Sequence, residues 1–83
     1  MSIALGRKIY TKLAWLNELP ESEAYYVFNE CSGSPAWAEA MAAARPFPML
    51  EQLYSTAAAM WENHGNGAEF AEIGSRIDAL LER

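Results

Sequence analysis

Eighty-three residues with a net charge of −5 and an apolar fraction of 52% make a single domain, 1–83, with ample material for a core and a surface too acidic for nucleic acid, whose phosphates require a basic face. Cys31 is the only cysteine, which excludes an intramolecular disulfide and a thiol-only metal cluster. The longest uncharged interior run, Gln52 to Trp61, falls well short of the ~20 apolar residues of a membrane span. Lys12 interrupts the apolar part of the N-terminal segment and no small-residue cleavage site follows. A signal peptide is therefore not expected, and a cytoplasmic, reducing setting is.

Helical periodicity recurs along the chain and strand signals are missing. The first helix is expected over about Ser2 to Leu16, with Leu5, Ile9, Leu13 and Leu16 on one face, Trp15 beside it, and Gly6 weakening it. Arg7, Lys8 and Lys12 precede any acid. They read first as a solvated helix face and second as a basic edge for docking or self-pairing. Asn17 to Pro20 break the pattern. A second helix follows from Glu21 to Cys31, with Glu21 and Glu23 complementing its dipole, Ala24, Val27, Phe28 and Cys31 facing inward, and Gly33 just past its end.

Ser34-Pro35 reads as N-cap and first helical residue of a third helix that runs to Ala44 with Trp37, Ala40, Met41 and Ala44 in register. Arg45-Pro46-Phe47-Pro48 is a stiff elbow. Pro48 is expected to open the fourth helix, whose stripe is Leu50, Leu53, Tyr54, Ala57 and Trp61. Asn63 to Gly67 end it, with Asn66 the expected N-cap of the last helix, whose stripe is Phe70, Ile73, Ile77, Leu80 and Leu81. The expected fold is all-α, a small bundle of four to five short helices.

No residue pattern supplies a self-contained catalytic site. His64, the only histidine, has the pKa of a general base but stands in a turn, where solvation or C-capping is the usual role. Cys31 on an apolar helix face reads as a packed thiol rather than a nucleophile. Glu21 with Glu23, and Glu69 with Glu72, read as solvated faces, since none interrupts an apolar stripe. Metal-ligand spacing, phosphate-cradling glycine loops and a nucleophile elbow are all missing. No catalytic, cofactor-binding or metal-binding residue is assigned, and no cofactor is expected.

One resemblance stands out. The run Leu16-Asn17-Glu18-Leu19-Pro20-Glu21-Ser22-Glu23, then Cys31-Ser32-Gly33-Ser34-Pro35-Ala36-Trp37, then Met41, Arg45-Pro46-Phe47, Leu50, Leu53, Ala57 and Trp61 resembles the N-terminal half of the OHCU (2-oxo-4-hydroxy-4-carboxy-5-ureidoimidazoline) decarboxylases over about residues 16–72. The resemblance implies an all-helical fold, a tendency to dimerise and a cofactor-independent decarboxylation in urate breakdown. Members of that family are longer, with a catalytic histidine in a His-Pro-x-Ile-Gly motif soon after a Phe-Ala pair. Here Phe70-Ala71 is followed by Glu72-Ile73-Gly74-Ser75-Arg76-Ile77-Asp78. Aligning Arg76-Ile77 with the motif puts Gly74 in place of the histidine and Ser75 in place of the proline. The family's Ser-x-x-Glu-Gln motif and later substrate-binding arginine would fall beyond Arg83. No catalytic residue carries over.

Two functions follow as expectations. The first is a non-catalytic helical interaction or regulatory module, a shortened relative that self-associates or binds an unidentified protein. The second is an active decarboxylase, or a fragment of one, completed by another chain. A homodimer is expected for the first, burying helix faces that half of a larger fold would leave open. Trp15, Phe70, Ile73, Ile77 and Leu81 are its interface candidates.

Overall fold

The computed structural model describes residues 2–83, with side chains from Ile9 onward. The expectations for the side chains of Leu5, Arg7 and Lys8 lie outside that set. The described residues form α1 (Ser2–Glu18), α2 (Glu21–Ser32), α3 (Pro35–Ala44), α4 (Leu50–His64) and α5 (Phe70–Glu82), with no strand among them. The fold is a small all-α bundle, as the periodicity implies. α2 packs most extensively on α3, and α3 on α4; α5 then returns across α1 and α2 to close the bundle.

Local chemistry explains most boundaries. Gly33 ends α2 in the left-handed region at φ 70°, and its N–H returns to the Asn29 carbonyl at 2.7 Å, a geometry that costs glycine nothing. The Ser34 hydroxyl accepts from the Trp37 N–H at 3.4 Å while Pro35 fills the first helical position. Two starts differ from expectation. α4 opens at Leu50 rather than Pro48, because Met49 is extended and its carbonyl takes the first helical N–H groups, of Gln52 and Leu53. Glu69, not Asn66, stands at the N-cap position of α5, and it makes no side-chain cap there. The Asn66 side chain is used earlier, accepting from the Ala68 N–H at 3.1 Å and donating to the Ser32 carbonyl at 3.1 Å. Asparagine favours this local turn as readily as a cap.

The core runs through all five helices. Trp37, Phe28, Leu16, Met41, Leu53, Ile73, Ile77 and Leu81 are its largest fully buried side chains. Phe28 meets Trp37 edge-on at 5.7 Å and Phe47 at 6.5 Å, and Trp37 meets Trp61 at 5.8 Å. Such contacts add about 0.5–1.5 kcal/mol each beyond the area they bury. The radius of gyration, 12.1 Å, is close to the ~12 Å expected of a self-contained chain of this length. The stripe of α5 is closed off by the chain's own helices, with Ile73, Ile77, Leu80 and Leu81 buried.

Candidate functional site

The residues that carry the family resemblance build a frame. Asn17, near the end of α1, uses its whole amide on the elbow between α3 and α4. Its Nδ2 donates to the Phe47 carbonyl and its Oδ1 accepts from the Phe47 N–H, both at 2.8 Å. Arg45 reaches back to the same corner. Its Nη1 donates to the carbonyls of Leu16 (3.0 Å), Asn17 (3.3 Å) and Leu19 (2.7 Å), and its Nε to that of Ala42 (3.0 Å). A helix leaves its last carbonyls without partners, and a guanidinium satisfies them while complementing the dipole. The buried Trp37 donates its indole N–H to the Ala57 carbonyl at 3.0 Å. Ser34 donates its hydroxyl hydrogen to the His64 carbonyl at 2.6 Å, joining the α2–α3 corner to the end of α4. These side chains are occupied in holding helices together.

The candidate catalytic groups are dispersed. His64 is exposed in the last turn of α4, and the contact it makes uses its backbone carbonyl. Cys31 is buried, and burial pushes its thiol above the ordinary range, with Arg83 and Arg76 pulling the other way. The protonated thiol is a poor nucleophile. Glu69 and Glu72 are exposed at the start of α5, as are Glu21 and Glu23 on α2. Tyr54 donates to the Asp78 carboxylate. Burial first, then that hydrogen bond, keep its phenol protonated beyond the usual range. Among the described residues no group of acids, histidine and cysteine is arranged to hold a metal ion.

Three of the five interface candidates are consumed within the chain. Ile73, Ile77 and Leu81 are buried in the core, because the stripe of α5 packs on the chain's own helices. Phe70 is half-buried against the same core. Trp15 is 39% exposed.

The concave feature that gathers charged groups lies between α1, α2 and α5. It is a cleft of about 400 Å³ lined by Lys12 and Trp15 of α1, Val27, Glu30 and Cys31 of α2, and Arg76, Ala79, Leu80 and Arg83 at the end of α5. The Lys12 ammonium sits 4.1 Å from the centre of the Trp15 ring, a cation–π contact. Arg76 donates to the Cys31 carbonyl at 3.3 Å. A second, shallower groove between α2 and α3 is lined by Glu21, Ser22, Tyr25, Tyr26, Glu39 and Ala42.

A family model, OHCU decarboxylase, matches residues 17–79. The chain belongs to the OHCU decarboxylase family. No curated protein and no solved structure matches it. The matched span runs from Asn17 through the Ser34–Trp37 cap and the Arg45–Phe47 elbow into α5, so it covers the frame described above. Within α5, Gly74 occupies the position that the resemblance gives to the family's histidine. Among the described residues, no side chain and no backbone of another element lies within 4 Å of where its Cβ would stand, so none of them imposes the glycine by crowding.

The cleft is the feature that sequence reasoning missed. Its cations come from opposite ends of the chain, and no local spacing joins Lys12 to Arg76. The early cluster of positive charge was the available signal, and it pointed to α1 alone.

Proposed function

We propose that this chain is a non-catalytic member of the OHCU decarboxylase family, a helical module that works by binding and associates with itself. The observation that carries this reading is Gly74. Decarboxylation needs a group that moves a proton and groups that stabilise developing charge, and glycine supplies neither where the resemblance puts the histidine. His64 stands exposed on a different helix end, and the Cys31 thiol is held protonated.

Self-association draws support from α1, where Tyr10 is 51% exposed and Trp15, about 140° around the helix at the edge of the cleft, 39% exposed. With Ile73, Ile77 and Leu81 already in the core, Trp15 is the sequence-predicted candidate best placed to meet a second copy. A cytoplasmic setting goes with this reading, since Cys31 has no intramolecular disulfide partner.

The test is a decarboxylation assay with freshly generated OHCU. The wild type is expected to leave the spontaneous rate unchanged. An acceleration abolished by His64→Ala would overturn the non-catalytic reading and favour an active enzyme. Light scattering across the workable concentration range tests the second part. Association that weakens in Tyr10→Ser is expected, and a monomer at every concentration would sink it.

A further inference from the structure

We propose that the cleft between α1, α2 and α5 binds a compact organic anion, its charge on carboxylate or phosphoryl oxygens and its body apolar. The site does not depend on self-association, which at Trp15 would compete with it. The chain has six lysines and arginines, and Lys12, Arg45, Arg76 and Arg83 are those whose side chains are described. Arg45 is committed to four backbone carbonyls. The other three all line this cleft. Eleven acids are spread over the same chain, yet Glu30 is the one acidic side chain among the described residues of the lining. A predominantly acidic surface thus carries a concave spot of the opposite sign, which concentrates small anions.

Two of the three cations are held by neutral partners. Lys12 rests on the Trp15 ring and Arg76 on a carbonyl. Such contacts orient a charge without neutralising it, so the charge is left for a ligand. Arg83 and Arg76 both oppose the effect of burial on the Cys31 thiol in the wall, while Glu30 reinforces it, so the guanidinium groups and the one lining carboxylate side chain share this corner. Guanidinium groups bind the planar or tetrahedral oxygens of carboxylate and phosphate in pairs. Trp15, Val27, Ala79 and Leu80 supply apolar wall, and the volume suits a small molecule rather than a polymer.

The cleft is separate from the family's histidine position. At roughly 100° per residue, Arg76, Ala79, Leu80 and Arg83 lie about 120–180° around α5 from Gly74. Gly74 faces away from the cleft.

The experiment is an NMR titration of the 15N-labelled protein with phthalate, phenyl phosphate, benzyl alcohol and inorganic phosphate. Saturable shifts at the Trp15 indole N–H and the Arg76 and Arg83 Nε–H are expected with phthalate or phenyl phosphate, the tighter of the two naming the head group. Benzyl alcohol is expected to leave them unmoved. Arg76→Gln should weaken binding about fivefold or more, and Glu30→Gln should tighten it roughly twofold to fivefold. Lys12→Gln replaces the first variant if Arg76→Gln fails to fold. The inference is overturned if no organic anion saturates by about 10 mM, or if inorganic phosphate gives the same shifts at the same concentration, which would mean charge screening alone. It is also overturned if the charge variants leave affinity unchanged, or if hexaglutamate binds more tightly than either small anion, which would make the surface a peptide interface.

Discussion

Asn17 offers the sharpest check on how this fold is held. Its amide makes two hydrogen bonds, each 2.8 Å, to the carbonyl and N–H of Phe47, thirty residues away and itself 2% exposed. Asn17→Ala removes both while leaving the α1 backbone free to stay helical. A net hydrogen bond is worth about 1 kcal/mol, so the pair is worth about 2 kcal/mol. A chain this size has a total stability of roughly 4–12 kcal/mol, so the loss is a large share. In a thermal melt it corresponds to a fall of roughly 8–16 °C. Asn63→Ala is the control. Asn63 is exposed and makes one 3.4 Å contact within its own helix, so its loss should shift stability by less than ~0.5 kcal/mol. Urea unfolding followed by circular dichroism measures both. Equal costs for the two variants would refute the claim that the α1 end and the α3–α4 elbow are joined through Asn17.

Two further outcomes follow from the backbone and the buried thiol. Gly74→Ala should raise stability by about 0.5–1 kcal/mol, since the position is helical and no described side chain crowds it. Gly33→Ala should lower it by about 1 kcal/mol, because its φ of 70° is unfavourable to any Cβ; matched urea melts with shifts of the same sign would contradict this. Cys31 should react with a disulfide reagent at pH 8 at least ~10-fold more slowly in the folded chain than in urea. Burial raises its pKa from 9.0, so the unfolded chain releases the proton first and the buried thiol's contribution to stability falls as pH climbs through and above that value. A folded-state reaction rate equal to the unfolded one would count against it.

The helices were legible because each carries its stripe at helical spacing, and the ends at Gly33 and Ser34 because their chemistry is local. Asn17, Arg45 and Asn66 were not legible in the same way. Each acts on backbone about thirty residues away, and a hydrogen bond to a distant carbonyl leaves no period or spacing to read. The α5 stripe shows a different limit. Ile73, Ile77 and Leu81 look the same in sequence whether they face the chain's own core or a partner. What decided between the two was how α5 returns across α1 and α2, a property of the whole fold.

The same distinction bears on how family likeness relates to function here. The matched residues whose contacts are clearest, Asn17, Ser34, Trp37, Arg45 and Phe47, are tied up in caps, clamps and the core. Their constraint is geometric, because replacing any one leaves backbone groups without partners or a void among aromatic rings. Position 74 carries no such contact among the described residues: outside its own helix backbone, none of their atoms lies within 4 Å of where a side chain would begin. A change there leaves the described clamps and caps untouched, so the frame, and with it membership of the family, does not depend on the side chain at position 74. The cleft between α1, α2 and α5 lies on another side of the same helix, and its cations are likewise free of the frame. Replacing Gly74 should therefore leave the cleft's affinity for anions intact, and replacing Arg76 should leave the Asn17–Phe47 clamp intact. Each position can be tested without disturbing the other.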